Sequence, residues 1–233
     1  MTSTMWRVRL PLFIVTLTLV LVSFAHPALA QDPPPPIPWV VVDAHMSIPR
    51  FPADDADLAN SRGMYVAELP GAGLGAQLAV NLYLLRTRVV TFGIGGELAY
   101  GRATNTPPPD GTQPDGVTPL RQAEEKFLSL APQISLNFGN GSGWSYLSAG
   151  LGATTLYLAP QGMVGYEPNT DRLKTFDYGG GARWFVKPHV AFSFDARFYV
   201  ISPGFAGILP SGTIYPGTPR ERLFIIAAGI SVK

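Results

Sequence analysis

The sequence predicts an all-β fold, an eight-stranded antiparallel up-and-down transmembrane β-barrel with a polar interior filled by side chains. Three observations carry this. Residues 39–233 alternate with period two through eight segments, one face of every segment is free of charge, and short and long connections alternate between them. Composition agrees, since only 14% of the 233 residues are charged and 46% are hydrophobic, whereas soluble domains carry about a quarter charged residues. A net charge of +1 argues against a nucleic-acid partner held by bulk electrostatics. Cysteine is absent, which removes disulfide frameworks and thiolate metal sites.

The first thirty residues read as a cleaved signal peptide. Arg7 and Arg9 form a short positive region, Pro11 to Phe24 is mostly apolar, and Ala28-Leu29-Ala30 is a small-x-small cleavage site before Gln31. Residues 31–38 contain Pro33-Pro34-Pro35-Pro36 and read as a stiff polyproline spacer on the periplasmic side. The barrel is expected over residues 39–233. No later segment approaches the length of a membrane-spanning helix.

The apolar faces run from Val40 to Ile48, Leu74 to Leu84, Val90 to Tyr100, Leu128 to Phe138, Leu147 to Tyr157, Phe176 to Val186, Val190 to Val200 and Phe224 to Val232. Gly96 interrupts the third and Pro132 the fourth. No Asp, Glu, Lys or Arg stands on any of these faces. A lipid-facing surface requires that, because a basic residue at the bilayer midplane costs about 2–4 kcal/mol.

The opposite faces are small or polar. They carry Asp43, His45 and Ser47 in the first segment, Gln77 and Asn81 in the second, and Glu97 in the third. Ser129, Gln133, Ser135 and Asn137 follow in the fourth, and the sixth and seventh add Asp177, Arg183, Ser193, Asp195 and Arg197 among glycines. A soluble ligand-carrying barrel would reverse this, with a greasy interior and an exterior rich in Lys and Glu. Hairpin geometry sharpens the expectation for the sixth and seventh segments, which the turn Lys187-Pro188-His189 joins. Centring the register on Pro188 sets Gly181 opposite Asp195 and Gly179 opposite Arg197. Each charge must then lean to a diagonal neighbour, so the expected interior ion pairs are Arg183–Asp195 and Asp177–Arg197.

The connections at Arg86–Arg88, Gly139–Gly143 and Lys187–His189 are short, and those at Pro49–Gly71, Thr104–Glu124, Ala159–Arg172 and Ser202–Arg220 are long. This is the asymmetry of barrels with short periplasmic turns and long external loops. Aromatic residues gather toward both strand ends, as interfacial girdles do. On this architecture residues 39–233 resemble the small outer-membrane barrels of the OmpA/OmpX type. That resemblance implies localisation in the outer membrane of a Gram-negative-type envelope, both barrel ends in the periplasm, and contact with the outer-membrane assembly machinery. The alternating last segment ends at Lys233 rather than at the aromatic residue usual in that family.

Chemistry-bearing residues are few. His45-Met46-Ser47 resembles the His and Ser of outer-membrane lipid A deacylases, with Asp43 on the same face. Successive same-face residues on one strand lie about 7 Å apart, too far for a working triad, so no catalytic residue is expected. No cofactor and no metal site is expected either; Asp54-Asp55-Ala56-Asp57 reads as a solvated acidic loop rather than a calcium site. Asn140-Gly141-Ser142 reads as turn chemistry. The sharpest constellation is Arg50, Arg102, Lys126, Lys174 and Arg222, each at or just beyond the long-loop end of a strand and in its lipid-facing phase. They form an expected rim for lipopolysaccharide phosphates, with snorkelling charges as the plainer account. The function expected from these residues is non-enzymatic, a structural or surface-interaction barrel acting through its loops. A small pore or transport barrel is the alternative, followed by a lipid-modifying enzyme and a soluble binding barrel. Outer-membrane lipids including lipopolysaccharide are the expected partners, nucleic acid is not, and a monomer is expected.

Overall fold

The computed structural model describes residues 34–161, 172–208, 214–215 and 217–233. The expected signal peptide, the first part of the spacer, and portions of the third and fourth long connections lie outside the described residues. Eight strands close into one barrel: β1 (Val40–Arg50), β2 (Leu74–Arg86), β3 (Thr91–Asn105), β4 (Ala123–Asn140), β5 (Gly143–Pro160), β6 (Arg172–Phe185), β7 (Val190–Ile201) and β10 (Glu221–Val232). A two-residue hairpin of β8 (Gly207–Ile208) and β9 (Ile214–Tyr215) lies in the last long connection. The order around the barrel is β1-β10-β7-β6-β5-β4-β3-β2, every pair antiparallel. Pairing of β1 with β10 closes the sheet, so no barrel strand is left as an unpaired edge.

The strands outrun the uncharged faces that locate them in the sequence. The third and fourth segments are expected to end at Tyr100 and begin at Leu128, yet pairing continues through Arg102↔Lys126 to Asn105↔Ala123. Charge was the limit of the sequence signal because it marks the edge of lipid. Backbone pairing has no such limit. With 18 residues each, β4 and β5 exceed the roughly 9–11 residues a tilted strand needs to cross a bilayer, and their outer ends stand beyond it.

All three described short turns, together with both barrel ends, lie at one rim, the inner one. There Thr87 closes the β2–β3 turn on Val90, and Asn140 Oδ1 accepts from the Ser142 N–H at 2.9 Å in the β4–β5 turn. The spacer is not a free linker at its end. The compact unit begins at Pro35 rather than at residue 39. The Pro35 carbonyl accepts from Gly141 N–H at 2.6 Å, and Ile37 is buried with Val41, Tyr83 and Trp144. An isoleucine beside prolines has apolar area to hide, and the barrel mouth offers aromatic rings to cover it.

At the outer rim the first long connection folds back on the barrel. Asp55, expected as part of a solvated acidic run, caps helix α1 (Ala56–Ser61) by accepting from the Leu58 N–H at 2.9 Å. Gly63, with φ of 60°, ends it in the left-handed conformation that a glycine adopts cheaply. Leu58, Ala59, Met64 and Leu69 then pack against Ala123 and Leu158 at the outer ends of β4 and β5.

Candidate functional site: the filled interior and the outer basic rim

The interior is layered. Beneath the folded loop lies an apolar layer that includes Phe51, Phe127, Tyr199, Ile201, Leu223 and Ile225. The interior expected to be polar thus also holds an apolar outer layer. These positions share the inward phase but sit in the outer half, where the loop above shields them from water and apolar packing is favoured. An aromatic floor of Tyr83, Trp144 and Phe185 closes the inner end.

Between the two lies the polar layer. Arg197 reaches Asp177 at 2.8 Å, Asp195 at 3.1 Å and Glu97 at 3.3 Å, so the expected Asp177–Arg197 diagonal forms. The register behind it is the one read from the turn, with Gly181↔Asp195 and Gly179↔Arg197. The other expected diagonal does not form. Arg183 binds Asp43 of β1, with its two nitrogens 2.6 and 2.9 Å from the two carboxylate oxygens, and lies over the Tyr146 ring at 4.2 Å. Asp195 takes the Tyr146 hydroxyl instead, at 2.7 Å. The reason is the closed barrel. A long side chain crosses the narrow lumen to a strand three places away, where a bidentate carboxylate beats a monodentate diagonal.

His45 also finds its partner across the lumen. Its Nε2 lies 2.6 Å from Ser193 Oγ, while Ser47, its sequence neighbour, gains no hydrogen bond at its hydroxyl. The His–Ser pair that the sequence suggested on one strand therefore exists between β1 and β7. Ser193 is buried, and the lumen cavity lined by His45 and Arg183 amounts to about 10 Å³, roughly the room for one water.

The lipid-facing surface is the complement of this interior. Leu151 and Ile134 are 70% and 67% exposed, as are apolar side chains on every barrel strand. No soluble exterior is built from a continuous belt of this kind. Together with closure of the sheet and a charged, sealed lumen, the belt decides the setting. The chain is an eight-stranded β-barrel of the bacterial outer membrane. An aromatic ladder on the outer wall, Phe176–Tyr178–Phe198–Phe224, has centroid separations of 5.5, 5.5 and 4.6 Å.

Arg50, Arg102, Lys126, Lys174 and Arg222 all fall on the lipid-facing side of this outer-membrane barrel, at the outer ends of β1, β3, β4, β6 and β10. Arg102 and Lys126 stand directly opposite each other. Glu124 bridges them, contacting Arg102 and lying 2.7 Å from Lys126 Nζ. Glu124 stands two residues from Lys126 on β4 and so shares its lipid-facing phase, a signal already present in the sequence. Lys126 also lies 5.0 Å from the Tyr157 ring centre. The five cations thus share the lipid-facing phase at outer strand ends, and Glu124 partly neutralises two of them.

No protein-family model matches the chain, and comparison with characterised proteins finds no match. Solved structures of outer-membrane proteins are similar in fold at low identity. Neisserial surface protein A is 15% identical, with 84% of this chain and 97% of that one covered and a TM-score of 0.48. Ail of Yersinia pestis, solved with the heparin analogue sucrose octasulfate, is 14% identical, with 82% and 97% covered and a TM-score of 0.44. The outer-membrane protease OmpT of Escherichia coli is 10% identical, with 83% and 96% covered and a TM-score of 0.41.

Proposed function

We propose that this protein is a non-enzymatic surface barrel that holds lipopolysaccharide phosphates on its basic rim and presents its long loops as an interaction surface. The observation that carries the reading is the placement of five basic side chains on the lipid-facing wall just above the apolar belt. That is the level of outer-leaflet phosphates, which Arg and Lys bind through charge-assisted hydrogen bonds. Glu124 keeps Arg102 and Lys126 side by side against their mutual repulsion, so one phosphate can engage both. The sealed lumen supports this reading over a pore. Lumen closure likewise leaves the His45–Ser193 pair without substrate access.

The test is co-purification. Arg102→Gln with Lys126→Gln should lower the lipopolysaccharide retained by the detergent-purified barrel while leaving its unfolding transition in place. Retention equal to wild type would sink the rim. The wild-type barrel in planar bilayers should show no steady conductance, and stable open channels would favour the transport reading.

A further inference from the structure

The wall of β2 to β6 carries a groove of about 620 Å³ on the lipid side. Its floor follows one row of cross-strand neighbours, Val80↔Gly96↔Pro132 and on to Leu151↔Phe176. Gly96 lacks a side chain, and a methyl group built there meets only the Ala131 carbonyl oxygen, at 3.9 Å. Pro132 is flat and interrupts the β4–β5 ladder, which is paired at Leu130↔Ala153 and resumes at Gln133↔Gly150. Proline in a central strand removes a ladder hydrogen bond and is rare. In lipid that loss is not made good by water, so its presence here calls for a local purpose. The row below, Leu82, Ile94 and Ile134, lines the groove on that side.

The groove is inclined, and its upper end is charged. Gly96 lies six residues below Arg102, and Pro132 six below Lys126, whereas Phe176 is a single lipid-facing step below Lys174. Arg172, one further step along β6, is exposed in the same phase. Four inter-strand steps at about 4.8 Å make the row about 19 Å long. With strands tilted about 35–45°, it climbs within a single leaflet, half of the hydrocarbon core of about 30 Å. A slot that is apolar along its length, open to lipid and topped by two cations at the outer-leaflet surface fits an anionic amphiphile.

We propose that this groove seats one acyl chain of lipopolysaccharide, with Lys174 and Arg172 holding the phosphate of the same molecule. The inference rests on the rim reading and adds to it a chain-binding seat and a second cation, Arg172. The rim supplies the charge, and the groove supplies a length and shape that ordinary belt residues do not.

The test uses the detergent-purified mature barrel, lipid A, and the fully deacylated phosphorylated saccharide as probes, with bound fractions read by native mass spectrometry. Gly96→Leu fills the groove without touching a charge. It should lower lipid A retention severalfold, through lost van der Waals packing of the chain in the groove rather than transfer from water, since detergent is itself apolar. Ala228→Leu, which places the same leucine side chain on the lipid-facing wall of β10, should change nothing. Lys174→Gln with Arg172→Gln should lower lipid A retention as well. Equal retention by Gly96→Leu and Ala228→Leu would overturn the seat. Loss at Gly96→Leu with none in the charge variants, Arg102→Gln/Lys126→Gln included, would overturn the rim reading and with it the head assignment. The wild-type comparison needs no variant to fold: deacylated saccharide retained as tightly as lipid A would overturn the seat by itself.

Discussion

Glycine does opposite things on the two sides of this wall. Inside, Gly150, Gly179 and Gly181 are gaps already taken. A side chain at Gly150 would run into the Asp177 carboxylate and, at 2.9 Å, the Pro132 carbonyl oxygen, and one at Gly181 would meet the Tyr146 hydroxyl at 2.6 Å. Outside, Gly96 opens onto space bounded by nothing closer than 3.9 Å. The residue type is the same, and so is the strand geometry. What differs is whether the vacated volume is claimed by neighbouring atoms of the protein or left to the surrounding lipid.

The largest effect should come from emptying a claimed space of charge. Asp43→Ala strands Arg183 in the lumen, and we expect a loss of about 3–5 kcal/mol, the usual cost of an orphaned buried ion. Urea unfolding in detergent would measure it. The double variant Asp43→Leu/Arg183→Met should recover much of that loss, and a double variant as unstable as the single would show that the arginine's pairing is not the issue. Next comes overfilling. Gly150→Val should cost about 1–3 kcal/mol through displaced interior side chains, while Gly96→Leu should stay within about 0.5 kcal/mol of wild type. Equal losses at the two glycines would erase the distinction between inner and outer wall.

The smallest effect concerns the folded loop at the outer rim. Burial would raise the Glu68 carboxyl, but hydrogen bonds from the Arg121 guanidinium and from the backbone of Tyr65 and Arg121 hold it below the ordinary carboxylate range. A depressed carboxyl contributes stability that is complete above its ordinary range and fades as pH falls through the lowered value. Protease cleavage within residues 52–72 should therefore stay slow at neutral and mildly acidic pH and accelerate only in strong acid. Acceleration already at pH values above the ordinary carboxylate range would mean that another contact holds the loop.

The eight strands were legible because the two faces of each meet different media, and period-two alternation records that directly. The Asp177–Arg197 contact was legible too, since both residues belong to one hairpin whose turn fixes the register. Arg183–Asp43 was not. Its partners lie 140 positions apart, and only closure of the barrel brings them together. The apolar layer around Phe127 and Tyr199 escaped notice for a similar reason. Its residues are inward in phase, but what makes them dry is a loop whose docking depends on Asp55 acting as a helix cap. Of the candidate site, the five rim cations were visible as strand-end charges in a lipid-facing phase. Glu124 between two of them, and the groove that reaches Phe176 below Lys174, required neighbours across strands.

Asp43 occupies an unusual station. Its carboxylate accepts from Arg183 on β6, Asn81 on β2 and Ser231 on β10, while its own strand is the first of the barrel. It therefore sits at the seam where the earliest and latest parts of the chain meet. Until β10 has arrived, the carboxylate lacks one of these donors, and a half-zipped sheet leaves it facing open lumen. The final hydrogen bond to Ser231 and the closing of the circle are one event. Assembly should then show its slowest step at the β1–β10 junction, where contacts span nearly the whole chain, and an intermediate stalled there would be an open, curled sheet whose other seven pairings are already made.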